Sequence, residues 1–172
     1  MVDKRGDIQM SFGMIFSIII IAATIAVAIY AITLFMNSTE KIKYGTIAKD
    51  IEEQAKQLRQ AEGGSKAITL DAPRNVEELC FVDLSKNSQN AQFLEFKDYD
   101  SSKEMNFFFY PIGEAEKLDA DSGRKLNCGT ENNYIDCFVF ARNPLCIPVE
   151  GGRVKIRLTN PGNGYINISQ AV

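Results

Sequence analysis

One uninterrupted apolar run dominates the N-terminal part of the chain. It extends from Met10 to Met36 without a charged residue. At 1.5 Å per residue it would form a helix about 40 Å long, which exceeds the roughly 30 Å hydrocarbon core of a bilayer. A secretory signal has an apolar region of only about 7–15 residues, so the length favours a retained membrane anchor over a cleaved signal peptide. We therefore predict a transmembrane helix at 10–36.

After Met36 the apolar positions take up a helical period among polar residues. They recur at spacings of three or four, which is the stripe of an amphipathic helix, and Gly63 and Gly64 end the pattern. The run covers about two heptads, fewer than a coiled coil needs, so we expect the stripe to pack on its own chain. We predict a helical continuation at 37–63 with this stripe: Tyr44, Ile47, Ile51, Ala55 and Leu58.

Beyond Gly64 the pattern becomes that of β-strands, rich in Val, Ile, Phe and Tyr, with polar loops predicted at 85–90, 98–103 and 113–127. The four consecutive aromatic residues Phe107–Tyr110 indicate a strand buried on both faces rather than an exposed patch. The turn NPGNG at 160–164 predicts a C-terminal hairpin. The predicted strands are Glu78–Leu84, Asn106–Ile112, Asn133–Ala141, Arg153–Thr159 and Gly164–Ser169.

The predicted fold class is α+β. A long N-terminal transmembrane and amphipathic helix precedes a small, mostly antiparallel β domain with two disulfides. The predicted organisation is a short basic N-terminal segment at 1–9, the transmembrane helix at 10–36, its amphipathic continuation at 37–63 and a β-rich domain at 64–172.

Composition argues against several classes of function. The net charge of −3 lacks the basic excess of a nucleic-acid-binding protein, and without histidine there is no Ser-His or Cys-His pair and no His-ligated metal site. The acidic sequence DADSG at 119–123 resembles the start of a calcium loop, but Arg124 and Thr130 occupy the positions where an EF-hand needs Gly and Glu. We predict no enzymatic activity, no catalytic, metal or cofactor site and no small-molecule substrate.

Four cysteines follow the apolar run, at Cys80, Cys128, Cys137 and Cys146. An even number in a small, loop-rich segment beside an anchor predicts two disulfides in an oxidising compartment, with three pairings open. The alternative is a four-cysteine zinc site, which the absence of any C-x-x-C pair disfavours.

The orientation in the membrane is predicted from the part of the chain after the anchor. Basic residues flank both ends of the run almost equally, so the positive-inside rule does not decide. The cysteines and two N-glycosylation sequons, at Asn37 and Asn167, favour an extracellular C-terminal domain. We predict a single-pass plasma-membrane protein with its N-terminus inside.

The basic-glycine leader KRG at Lys4–Gly6, the long apolar helix and the β domain together resemble type IV pilins and pilin-like proteins, whose archaeal members carry such a leader. The resemblance implies cleavage between Gly6 and Asp7 and a filament core of packed apolar helices. The chain departs from the bacterial pattern at Ser11, where those pilins carry glutamate, and at Asp7, where a hydrophobic residue is usual. An uncleaved pilin-like membrane protein is the alternative.

Small residues on one face of the apolar helix could allow close contact with a second helix, although such residues are also common in membrane helices generally. We expect a non-enzymatic, pilin-like structural or minor subunit of an extracellular filament or related membrane machine. Its partners would be copies of itself or other pilin-like subunits. The alternative is a lone membrane-anchored ectodomain that binds an extracellular partner. The predicted packing residues are Gly13, Ser17, Thr24, Ala28 and Ala31.

Overall fold

The computed structural model describes residues 12–61, 63–127 and 137–171. They belong to two compact units, Met1–Ser38 and Thr39–Val172. A 3₁₀ turn covers Glu116–Leu118. The other elements are α1 (Phe12–Gln60), β1 (Gly64–Asp71), β2 (Glu78–Phe81), α2 (Ala91–Tyr99), β3 (Phe107–Tyr110), β4 (Gly123–Arg124), β5 (Phe138–Phe140), β6 (Leu145–Pro148), β7 (Arg153–Asn160) and β8 (Ile166–Gln170).

The strands of the second unit form two four-stranded sheets. One has the order β1-β7-β8-β5 and the other β4-β3-β2-β6. Among the described residues, five of the six strand pairs are antiparallel, and β5 pairs with β8 in parallel. The predicted α+β class with a long N-terminal helix is confirmed, as is the C-terminal hairpin, which β7 and β8 form.

The amphipathic stripe of α1 lies in the main core of the second unit. Tyr44, Ile47, Ile51 and Ala55 are buried there, and Leu58 packs against them. Both sheets supply most of the remaining side chains of this core, including the inward face of β7, where Val154, Ile156 and Leu158 alternate with exposed residues. The expectation that the stripe packs on its own chain is confirmed.

The aromatic strand β3 contributes to two different cores. Phe107 and Phe109 point into the main core, whereas Phe108 lies in a second cluster beside α2. Successive side chains of a strand point to opposite faces, which explains the division. The Phe108 ring stacks on Phe96 of α2 with 4.7 Å between centroids. The prediction that this strand is buried on both faces is therefore confirmed.

Five described elements have no counterpart among the predictions, namely β1, α2, the 3₁₀ turn, β4 and β6. Strand β1 lies directly after the helix, and β6 precedes the turn at 150–152. Helix α2 follows the predicted loop at 85–90 and covers the first two residues of the predicted loop at 98–103, so the loop prediction was wrong at 98–99. The predicted loop at 113–127 contains a 3₁₀ turn and β4, so that prediction was wrong in part. Of the predicted strand Asn133–Ala141, β5 occupies the central part of the described residues, while 133–136 lie outside them.

A disulfide joins the two neighbouring strands β2 and β6. Cys80 and Cys146 are direct register partners, with Cα atoms 4.0 Å apart. Cys137 is also disulfide-bonded, and Cys128 lies outside the described residues. Of the two predicted disulfides, one is therefore described, Cys80–Cys146, and the second pair stays a prediction.

Candidate functional site

The apolar half of α1 is the most distinctive surface in the described part of the chain. Every described residue from Gly13 to Met36 is exposed, and the most exposed of its large hydrophobic side chains is Phe35, at 74%. By length and composition, α1 is the one helix among the described residues that could cross a membrane. An apolar surface of this extent is rare on soluble monomers and marks contact with a partner or a membrane.

The five predicted packing residues lie on one side of this helix. At 100° per residue, Gly13, Ser17, Thr24, Ala28 and Ala31 fall within about 60° of one another. The hydroxyls of this face bond within the helix, since Ser17 Oγ donates to the Gly13 carbonyl and Thr24 Oγ1 to the Ile21 carbonyl, both at 2.8 Å. A second helix could therefore pack closely against the backbone of this face, but the Ser17 and Thr24 hydroxyls already donate to their own helix.

The remaining predicted modification sites fall on different parts of the chain. The leader residues Gly6 and Asp7 lie outside the described residues. Asn37 lies in α1 and Asn167 in β8, and both side chains are exposed. Exposure is what a glycosylation acceptor needs, and glycosylation at either site stays a prediction.

The alternative of a four-cysteine zinc site is wrong for the described cysteines. Glu78, Cys80 and Cys146 bring their ligand atoms within 4.8 Å of one another. However, the two sulfurs are bonded to each other and carry no thiolate charge for a metal. Glu78 Oε2 instead accepts a hydrogen bond from Gln92 Nε2 at 2.9 Å.

The loop that resembles the start of a calcium site is organised around Glu116. Its carboxylate accepts hydrogen bonds from Ser122 Oγ and from Tyr99 OH, each at 2.6 Å. Burial raises the pKa of Glu116, but these hydrogen bonds outweigh it and hold the pKa below its usual value. Ser122 Oγ also accepts from the Gly113 backbone N–H at 2.9 Å. The Ser122 hydroxyl thus both donates and accepts a protein hydrogen bond, which favours a structural role for this part of the loop.

Sequence reasoning missed a basic recess on the second unit, of about 510 Å³. Lys43 of α1, Arg74 of the turn after β1 and Arg153 at the start of β7 line it, together with Asp71. Nothing in the sequence pattern brings these distant residues together; the pairing of β1 with β7 does so, because it sets Asp71 opposite Arg153.

Glu40 holds two sides of this recess in place. Its carboxylate accepts from Lys43 Nζ at 3.0 Å and from the Arg74 backbone N–H at 2.8 Å. Burial raises the pKa of Glu40, but the bonds from Arg74 and Lys43 outweigh it, so the pKa lies below its usual value. Glu40 is therefore ionised at neutral pH, and its carboxylate holds Lys43 and Arg74 close to each other.

The hydroxyl of Tyr44 is buried beside the main core and has no hydrogen-bond partner among the described residues. Burial, with the nearby charges of Glu114, Glu40 and Glu116, raises its pKa to about 12. The phenol therefore stays neutral at physiological pH. Its ring packs edge-on against Phe109 at 4.7 Å between centroids, which gives it a clear role in packing.

A second recess, of about 200 Å³, is lined by four aromatic side chains together with two valines and the polar residues Asp83, Lys86 and Asn106. Val139 and Tyr165 at this recess are exposed. Its volume is below the range typical of small-molecule pockets. The other aromatic side chains that line it are Phe81, Phe138 and Phe140.

With this geometry in hand, comparison with protein-family models, curated proteins and solved structures finds no match to the chain.

Proposed function

We propose that this protein is a non-enzymatic, membrane-anchored structural subunit of pilin-like form. The apolar half of α1 spans the plasma membrane and packs against copies of itself or related subunits. The disulfide-bonded second unit is displayed outside the cell, as a structural or minor component of a filament or related membrane machine.

One observation carries this proposal: the apolar side chains in the first half of α1 are exposed, whereas those in its second half are buried. All described side chains from Gly13 to Met36 are exposed, whereas Ile47, Ile51 and Ala55 of the same helix are almost completely buried in the second unit. Burial of apolar area stabilises a protein by about 25 cal/mol per Å². The exposed half gains none of that energy from the described residues, and a bilayer or a bundle of like helices would provide it.

The extracellular placement of the second unit rests on its covalent chemistry. The Cys80–Cys146 disulfide forms and persists in oxidising compartments and is rare in the cytosol. An N-terminus inside the cell then follows for a chain that crosses the membrane once.

Replacing Ala28 by Leu should disturb assembly between copies while leaving the second unit folded. The added side chain keeps the helix apolar but separates two backbones that approach closely across the small-residue face. Ala26 provides a matched control, because it lies two residues earlier, about 200° around the helix, and is equally exposed. The measurement is the amount of high-molecular-mass assembly in native membranes, by electron microscopy and sedimentation, for both variants.

We expect A28L to lower the yield of assemblies about tenfold and A26L to change it little. Normal assemblies from A28L would contradict the assigned packing face. A chain that stays in the membrane as a monomer, with or without the substitution, would contradict the filament function itself.

The aromatic recess favours a second candidate, a lone anchored ectodomain. Val139 of β5 and Tyr165 expose apolar surface at this recess, and β5 is an edge strand of its sheet among the described residues. In that case function would depend on this recess, and A28L would have no effect on it.

A further inference from the structure

The basic recess places two arginine side chains so that their charges are only partly neutralised. Each arginine has a carboxylate near its Nε atom. Arg74 Nε lies 3.7 Å from Glu40 Oε1, and Arg153 Nε lies 3.3 Å from Asp71 Oδ1. Neither guanidinium group makes a hydrogen bond within the part of the chain that the structure describes. Their side chains are 66% and 68% exposed, so the forked terminal nitrogens are accessible from solvent.

The recess has the charge and the open backbone that an anion requires. The cations Lys43, Arg74 and Arg153 line it against two carboxylates, Asp71 in the lining and Glu40 beside it, so positive charge remains in excess. Its wall includes Gly151 and Gly152, where no atom lies within 4 Å of the position that a Cβ would occupy. A phosphate group could therefore approach closely, and arginine is the side chain best suited to bind one through two parallel hydrogen bonds.

The position of this recess along the chain indicates which anion would occupy it. Glu40 and Lys43 follow Met36 by four and seven residues, which is about 6 and 10 Å along a helix. The headgroup layer extends roughly 5–8 Å beyond each side of the hydrocarbon core. If the apolar run ends at the surface of that core, Glu40 lies in the headgroup layer and the Lys43 backbone just beyond it. The Lys43 ammonium returns to that level, since it lies 3.0 Å from the Glu40 carboxylate, and Glu40 also holds Arg74 there through its backbone N–H.

We propose that Lys43, Arg74 and Arg153 form a binding site for the phosphate of an anionic phospholipid in the outer part of the membrane. This inference rests on the proposed membrane anchoring of α1. The lipid would fix the second unit at the bilayer surface, with the phosphate bridging the two guanidinium groups and the lysine ammonium.

The test is native mass spectrometry of the full chain released from detergent micelles doped with phosphatidylglycerol or with phosphatidylcholine. We expect phosphatidylglycerol to remain bound to the wild type and its apparent affinity to fall about tenfold or more in R74Q/R153Q, because charge-assisted hydrogen bonds are lost. The matched control is R142Q/R157Q, which removes the same charge from two exposed arginines outside the recess. Circular dichroism establishes that both variants are folded.

Equal retention of phosphatidylglycerol by R74Q/R153Q and R142Q/R157Q would overturn the site, since general electrostatic attraction would then explain the binding. Displacement of the lipid by millimolar inorganic phosphate alone would also overturn it, because the recess would then be a site for free phosphate. Failure of the wild type to associate with micelles or bilayers of either lipid would overturn the anchoring of α1, and the lipid site with it.

Discussion

Arginine at both Ile21 and Ile25 should remove the chain from the membrane fraction. The two positions are near the centre of the apolar run and are exposed on one side of α1. Each arginine at the centre of a spanning helix costs about 3 kcal/mol on the insertion scale, and the pair costs about 6 kcal/mol. That is comparable to the whole favourable contribution of the apolar side chains in the run. The measurement is the protein remaining in membranes after alkaline extraction, compared with wild type.

The control for this experiment is I42R/L94R. Ile42 and Leu94 are also exposed, at 65% and 47%, but lie outside the apolar run. This variant should stay in the membrane, since it adds the same charge without placing it in the hydrocarbon layer. Retention of I21R/I25R in the membrane after extraction would show that this segment is not the anchor.

Truncation of Phe109 to alanine should unfold or nearly unfold the second unit. Phe109 is 1% exposed and joins α1 to the sheet of β3 through its contact with Tyr44, and it also packs edge-on against Phe107 at 5.0 Å. Phe→Ala substitutions in cores cost about 3–5 kcal/mol, a large part of the 5–15 kcal/mol that stabilises a typical domain. The measurement is urea unfolding followed by near-ultraviolet circular dichroism of the tyrosines, since the chain has no tryptophan.

Tyr165 gives the matched control for an aromatic truncation. It is 42% exposed, so Y165A leaves little new cavity and should change the free energy of unfolding by less than about 1 kcal/mol. If F109A lowered the free energy of unfolding no more than Y165A does, the packing of α1 into the main core would be contradicted.

The long helix and its buried stripe could be predicted because a single period persists over many residues. Spacings of three and four from Tyr44 to Leu58 leave one helical face apolar, and that face is the one buried. The burial of the aromatic strand on both faces could also be predicted, because three adjacent phenylalanines cannot all face water in a small domain.

The elements that sequence reasoning missed are short or have weak patterns. Helix α2 has nine residues, with Phe93 and Phe96 as its buried positions and Asn90 as its N-cap, whose side chain accepts from the Gln92 N–H at 2.8 Å. That cap was a usable signal. In strand β1 only Ile68 and Leu70 alternate with polar residues, a pattern too short to predict a strand, and pairing with β7 defines it.

Of the two candidate sites, one could be predicted from the sequence and the other could not. Length and polarity alone identify the apolar run and its small-residue face, because both are local properties. The basic recess depends on residues 43, 74 and 153, which come together only through long-range strand pairing and the Glu40 contacts. No local pattern marks it, and only the folded chain reveals it.

The most direct test of the proposed assembly is cysteine cross-linking in native membranes. A cysteine at Ala28 is small enough to preserve close helix contact, and oxidation should then join two copies into a covalent dimer, whereas a cysteine at Ala26 should do so far less. A high dimer yield for A28C and a low yield for A26C would support contact between copies through the small-residue face. No dimer from either variant would contradict self-assembly through α1, and equal yields would contradict the assigned face.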